Sequence, residues 1–151
     1  DEAFLPWLTS ALEKSNLPPN AVIFQFREID AVRYLNQAAT ISDEMKKVSG
    51  QIAIANFGIA INPLKTLDRV AVDFVKIDRL IVEELQEGGE GKVKFQALMA
   101  GMTGTGVDVI VPFVEKASIL PILWQQGVQY IQGHYVQQPS FEMDYDFSEN
   151  S

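Results

Sequence analysis

The sequence contains no cysteine and a single histidine, His134. The lack of cysteine excludes disulfides, thiolate metal sites and cysteine nucleophiles, and it is typical of a cytoplasmic protein. A single histidine gives almost no support to a metal site built from several imidazoles, or to a catalytic triad that contains histidine. We interpret His134 itself as a surface or rim residue.

Basic residues are also scarce, with 12 Lys and Arg against 20 Asp and Glu and a formal net charge of -8. Broad binding to a nucleic-acid backbone needs basic stripes, so this charge argues against it. The net negative charge still allows a small anionic ligand to bind in a local pocket. No apolar run reaches the ~18 residues of a membrane span, and no basic segment followed by an apolar one indicates a signal peptide.

What the sequence does contain is typical of one globular domain. Its 151 residues are 47% apolar and 21% charged, which suits a packed core and argues against extended disorder. Neither GxGxxG nor GxxxxGK followed by Ser or Thr occurs, so nucleotide binding of the Rossmann or Walker type has no support.

Predicted strands alternate with predicted helices along the chain. Strands separated by helices imply parallel pairing with right-handed crossovers. Five strands fit two architectures: an open doubly wound sheet, or most of a β/α barrel, which normally needs eight strands. The strands are predicted at 21–26, 51–55, 72–76, 107–111 and 128–131, and the helices at 1–14, 29–48, 64–69, 77–85, 92–103 and 118–126.

Glycine, serine and proline predict several boundaries. Gly50 is predicted to cap the end of the helix at 29–48. Ser118 is predicted to cap the last helix, which places Pro121 in its first turn. The glycine-rich run at 87–91 predicts a solvated loop.

The stretch 107–115 ends a buried strand in an unusual way. Its first residues suit a sheet interior, and Pro112, which has no N–H to donate, is predicted to end the strand. Phe113 and Glu115 then follow at the carboxyl end, where α/β folds bind ligands. The other strands also end in polar or unusual residues: Gln25 and Glu28, Asn56 and Gly58, Lys76 and Asp78, and Gln132 and Gly133.

Four motifs, in this order and spacing, resemble the EAL domain family: Asn56-Phe57-Gly58, Val75-Lys76-Ile77-Asp78, Val114-Glu115, and Tyr130-Ile131-Gln132-Gly133-His134-Tyr135 through Pro139. The resemblance covers nearly the whole chain. It implies a modified TIM-type β/α barrel, about five of whose strands are present, in a family of cyclic-di-GMP phosphodiesterases. Residues 1–140 are then the C-terminal portion of such a domain, and 141–151 are an acidic tail.

The departures from the family pattern concern its metal ligands. Active members use two metal ions, held by carboxylates, to generate a nucleophilic water. The resemblance places Gln25, Ala55 and Asn56 where the family has acidic ligands, and Pro112 where it has a catalytic glutamate. Neutral residues leave too little charge for two divalent ions. The resemblance therefore implies a degenerate phosphodiesterase without catalytic residues, metal or cofactor.

The Pro112–Glu115 turn and the tail also resemble FimX-type members, which are degenerate EAL domains that bind cyclic-di-GMP as receptors. In this comparison Phe113 stacks on a guanine, and Glu115 accepts hydrogen bonds from the guanine edge. The resemblance also implies a PilZ-domain protein or a similar partner, and a cytoplasmic role in type IV pilus, motility or biofilm regulation. Further expected contacts to the ligand are Lys76, Gln132 and Pro139.

Each of these roles has a structural alternative. Phe113 could cover the barrel rim, Glu115 could favour a helix N-terminus, and Lys76 could pair with a neighbouring carboxylate. Gln132 could bind a loop backbone. For the whole chain, the alternative is an EAL-derived scaffold that binds no nucleotide. An open sheet edge predicts either a homodimer or pairing with the missing N-terminal part of the barrel.

Overall fold

The computed structural model describes residues 4–15, 18, 22–128 and 130–133. Its strands are β1 Ile23–Arg27, β2 Gln51–Phe57, β3 Phe74–Ile77, β4 Asp108–Val114 and β5 Tyr130–Gly133. They form one parallel sheet in this order, so each strand pairs with the next one along the chain. A doubly wound sheet reverses its strand order at a switch point, whereas consecutive parallel neighbours are the pattern of a β/α barrel. The predicted α/β class and barrel-type arrangement are therefore confirmed.

Helices connect successive strands and cover one side of the sheet. They are α1 Phe4–Ser15, α2 Glu28–Arg33, α3 Leu35–Lys47, α4 Pro63–Arg69, α5 Arg79–Glu87, α6 Glu90–Met102 and α7 Leu120–Gln125. A 3-10 turn at Ala117–Ile119 leads directly into α7. No helix in the described ranges has the length and apolarity needed to cross a membrane.

The core lies between the sheet and the helices. Ile54, Val75 and Val109, which are neighbours in register on β2, β3 and β4, are all buried in it. We call this side of the sheet the helix face and the opposite side the inner face, because in a β/α barrel it points to the barrel interior. The helices contribute Ala31, Ala38, Val82, Leu85, Phe95, Met99, Met102 and Leu123 to the same cluster.

The predicted helix at 29–48 is wrong in two details. It consists of two helices, because the chain breaks at Tyr34 (φ -119, ψ 52) between α2 and α3. At the end of α3, Ser49 and not Gly50 has the left-handed backbone, with φ 59. The N–H of Ser49 donates to the Lys46 carbonyl at 3.1 Å, and that of Gly50 to the Met45 carbonyl at 2.8 Å. These are the paired bonds of a Schellman motif.

Two other predicted boundaries also need correction. The Ser118 side chain does not cap α7, because Ser118 lies in the preceding 3-10 turn, although Pro121 does lie in the first turn of the helix. The predicted loop at 87–91 is shorter, since α6 begins at Glu90 and Gly91 is buried. A Cβ on Gly91 would lie 2.2 Å from the Glu84 carbonyl oxygen of α5. The absence of a side chain there lets α5 and α6 pack closely.

Candidate functional site

The inner face of the sheet presents rows of side chains near the carboxyl ends of the strands. Cα partners in parallel strands share a face. Arg27 of β1 is paired with Ala55 of β2, and Lys76 of β3 is paired with Ile110 of β4. One step deeper on the same face, Gln25 is paired with Ala53. The predicted positions Gln25, Ala55 and Lys76 therefore all lie on the inner face.

β2 and β4 each contain a bulge just before they end. The register shifts between Ile54 and Phe57 in β2, and between Val111 and Val114 in β4. Each strand therefore carries one extra residue at this point, a device that redirects a side chain near the rim of a barrel. The burial pattern along the seven residues is the same in both strands.

The bulge in β4 corrects the prediction that Pro112 ends this strand. The strand continues to Val114, and Pro112 lies in the bulge, which is one of the places where strands accept proline. Phe113 follows with a left-handed backbone at φ 61, as Asn56 does in β2 at φ 55. Asn tolerates this conformation, whereas a bulky residue there is uncommon and strained. A sequence pattern based on strand alternation cannot anticipate this.

Phe113 projects from the β4 bulge with 45% of its surface exposed. The guanidinium carbon of Arg79, at the start of α5, lies 5.0 Å from the centre of the ring. This geometry is a cation–π contact. Arg79 also donates through Nε to Glu83 Oε1 at 2.8 Å, within the same helix. Sequence reasoning missed Arg79, because nothing in a helical first turn signals an aromatic partner about 34 residues away.

Gln86 of α5 holds the chain that leaves β4. Its Oε1 accepts the N–H groups of Glu115 at 2.6 Å and Lys116 at 2.8 Å, and its Nε2 donates to the Phe113 carbonyl at 3.3 Å. Glu115 directly precedes Lys116, the N-cap of the 3-10 turn, and so lies just before the first turn. A half-buried glutamine on a helix has no sequence pattern that predicts such a contact.

Glu28 plays a similar part at the end of β2. The side chain is 1% exposed, and its carboxylate accepts the N–H groups of Gly58 at 2.8 Å, Ile59 at 3.1 Å and Ala60 at 2.8 Å. The three bonds satisfy a buried charge. The sequence marked Glu28 as a residue at a strand end, but it did not indicate that Glu28 fixes the loop after β2.

Lys76 is half-buried on the inner face and forms no ion pair with the residues described. The alternative role predicted for Lys76, an ion pair with a neighbouring carboxylate, is therefore not formed among the described residues. Asp78, two residues further on, caps α5 by accepting the Leu80 N–H at 2.8 Å. Within the described part of the chain, no three His, Asp or Glu side chains are grouped as metal ligands.

Gln132 lies on β5, half-buried, two residues after Tyr130 and so on the same face as that residue. Tyr130 is paired with Ile110, which places Gln132 on the inner face as well. His134, Pro139 and the tail at 141–151 lie outside the described residues.

A cavity of about 300 Å³ lies at the other end of the sheet. It is lined by Val107, by the amino end of β4 that follows it, and by residues at the carboxyl ends of α6 and α7. In β/α barrels the amino-terminal face serves stability, and function concentrates at the carboxyl ends. The cavity is therefore separate from the rows described above.

Comparison with known proteins identifies relatives along the whole described chain. The family model of the EAL domain matches residues 1–139. The crystal structure of the FimX EAL domain from Pseudomonas aeruginosa bound to c-di-GMP is 43% identical, with a TM-score of 0.83 over 97% of this chain. The cyclic di-GMP phosphodiesterase PdeB of Shewanella oneidensis is 22% identical over 91% of this chain.

These relatives are longer than the present chain. It spans 60% of the FimX chain and 16% of the length of PdeB. A calcium and cyclic-di-GMP complex of BlrP1 from Klebsiella pneumoniae aligns with a TM-score of 0.74 over 89% of this chain. At 21% identity it shows the shared fold alone.

Proposed function

The chain belongs to the EAL domain family, and from this premise we propose that it binds cyclic-di-GMP as a receptor and does not hydrolyse it. The observation that carries the proposal is the 43% identity to a FimX EAL domain that was crystallised with c-di-GMP, over 97% of this chain. The named phosphodiesterases among the relatives are more distant, at 22% and 24% identity.

The proposed contacts within the described residues lie at the carboxyl ends of β3, β4 and β5. Phe113 offers an exposed ring for a guanine, and stacking of a base on an aromatic ring contributes about 1–3 kcal/mol. Arg79 lies over one face of this ring, so the base takes the opposite face. Glu115 accepts from the guanine edge. Lys76, Gln132 and Pro139 complete the proposed set of ligand contacts.

The proposed loss of hydrolysis follows from the residues at the metal positions. Ala55 offers a methyl group, and Gln25 and Asn56 offer neutral amides, whereas hard divalent cations need several carboxylate oxygens. Glu28 does carry a carboxylate, but three backbone N–H groups bind it. A pair of metal ions that activates water has no support among these side chains.

As a receptor, the domain would signal through a protein partner. The likeness to FimX EAL domains supports a PilZ-domain protein or a similar partner in type IV pilus, motility or biofilm regulation, in the cytoplasm. The alternative is a scaffold that binds no nucleotide. It is favoured by Ile61, which is 98% exposed on the loop after β2 and lies near the exposed Ile59.

Titration calorimetry with cyclic-di-GMP separates these functions. We expect saturable heat with the native chain and an affinity about 5- to 150-fold weaker for Phe113→Ala, because the stacking energy of about 1–3 kcal/mol is lost. Trp124→Ala is the matched control, since Trp124 is also an exposed aromatic residue but lies on α7. No heat at micromolar protein would contradict the receptor proposal and leave the scaffold.

A further inference from the structure

The inner face carries two cations in its last row, Arg27 and Lys76. We propose that these two side chains bind one phosphate group of the ligand between them and so supply the positive charge of a site without metal ions. The inference deepens the proposed function and rests on it. It adds Arg27, which the sequence had not marked as a ligand residue.

The register of the sheet places the two cations on either side of Ala55. Arg27 is the Cα partner of Ala55. Ala55 and Lys76 each follow directly after the paired residues Ile54 and Val75. Two inter-strand steps of roughly 4.8 Å put the Cα atoms of Arg27 and Lys76 about 10 Å apart. Both side chains are long enough to reach a phosphate group above the small Ala55 side chain.

The charges in this row favour an anion. The in-register partners of the two cations are neutral, since they are Ala55 and Ile110. Asp108 also faces inward, but it is two residues deeper on β4. A phosphodiester would therefore meet positive charge on both sides and no carboxylate in the same row of the described strands.

Arg27 keeps most of its binding capacity. It donates through Nε to Asp30 Oδ2 at 3.1 Å, and the two side chains are 65% and 42% exposed. An ion pair this exposed contributes little to stability and yields to a stronger partner. The guanidinium nitrogens at its end make no hydrogen bond to the residues that the structure describes. These nitrogens lie in one plane and can donate parallel hydrogen bonds to two oxygens of a phosphate group.

Lys76 complements the guanidinium of Arg27 with a compact positive charge. Lys76 is a half-buried residue, and its ammonium group forms no ion pair in the described strands and helices. Arg27 lies beside Ala55, whose methyl group brings no charge to this row.

The test is calorimetry with cyclic-di-GMP in the presence of a metal chelator, at several salt concentrations. We expect binding to survive the chelator, and Arg27→Gln and Lys76→Gln each to weaken it about 10-fold or more, because a charged hydrogen bond is lost. The double variant should also show a shallower salt dependence. Lys92→Gln, on the outer helix α6, removes the same charge and should leave affinity unchanged.

The outcomes distinguish this inference from the proposed function. If Phe113→Ala weakens binding while Arg27→Gln does not, the receptor stands and the phosphate pair is wrong. Loss of binding on chelation also overturns the pair. If the native chain gives no heat with the dinucleotide, dimethyl phosphate is titrated instead, and the Nε–H resonance of Arg27 is followed by NMR. A resonance that does not move overturns the pair, and one that shifts supports it.

Discussion

Phe113 adopts a backbone conformation that its side chain opposes. A φ of 61 brings Cβ close to the following carbonyl oxygen, at a cost of about 1–2 kcal/mol. Asn56 occupies the same place in the β2 bulge, with a side chain that suits it. The strain at Phe113 is therefore not required by the bulge itself, and it supports the ligand contact proposed for the ring.

This strain predicts that two variants at position 113 reverse their usual order of stability to unfolding. Phe113→Gly should be more stable to unfolding than Phe113→Ala by about 1 kcal/mol, because glycine accepts a left-handed backbone without a steric cost. Urea denaturation of both variants measures the difference. At Gln25, in the extended β1 strand, the same pair should rank in the usual order, with glycine less stable. Equal stability of the two variants at position 113 would show that the backbone there is unstrained.

Glu28 should be among the polar residues most important for stability. Glu28→Gln replaces one of two accepting oxygens by an NH₂ group, which then faces a backbone N–H, and we expect a loss of about 2–3 kcal/mol in unfolding free energy. Chemical denaturation measures this loss. Glu44→Gln is the control, since Glu44 forms a surface ion pair with Lys47 that contributes at most about 1 kcal/mol. If the two variants lose the same stability, the three hydrogen bonds to Glu28 do not stabilise the fold more than a surface ion pair does.

At the scale of elements, close helix packing depends on one glycine. In Gly91→Ala the new Cβ would clash with the Glu84 backbone, which cannot yield without separating α5 from α6. We expect a loss of at least about 2 kcal/mol in unfolding free energy, at the upper end of overpacking costs. Thermal and urea denaturation provide the measurement.

Gly101→Ala is the matched control for this substitution. It lies in the same helix, and its Cβ would meet Leu64 Cδ1 at 2.2 Å. A leucine terminus can rotate away, so this variant should lose much less stability than Gly91→Ala. If both variants are equally stable, the α5–α6 contact is looser than the structure indicates.

The sequence predicts the elements better than their ends. Short runs of apolar and β-branched residues located all five strands, because the strands of a buried parallel sheet are nearly continuous in Val and Ile. This pattern misplaced the end of β4, since a bulge at Pro112 depends on how β5 pairs with β4. It also missed the break at Tyr34, where the apolar pattern continues from α2 into α3.

Some residues of the candidate site were predicted from the sequence, and others were not. Lys76, Phe113 and Gln132 each lie next to the last residue of a strand, and a parallel sheet brings the carboxyl ends of its strands together. Arg79 and Gln86 were not predicted, because their contacts join helix α5 to the exit of β4. Such pairing depends on the packing of elements that are distant in sequence.

At the scale of the whole molecule, the chain should bind cyclic-di-GMP without hydrolysing it. With Mg²⁺ or Mn²⁺ we expect no linear dinucleotide, because the positions of the metal ligands hold Gln25, Ala55 and Asn56. Chromatography of the incubated nucleotide tests this, with an active family member run in parallel. Product that forms only with metal would show that other side chains can hold the ions.

The single acceptor atom on Gln86 has a kinetic consequence. The amides of Glu115 and Lys116 share Oε1, so one rotation of the Gln86 side chain releases both. Native-state hydrogen exchange should therefore give these two amides matching protection factors, whereas independent bonds would give unrelated ones. Gln86→Ala should lower both together and leave the Asp78-bonded amide of Leu80 unchanged. We therefore expect the start of the segment after β4 to open and close as one unit, at a rate set by the rotation of the Gln86 side chain.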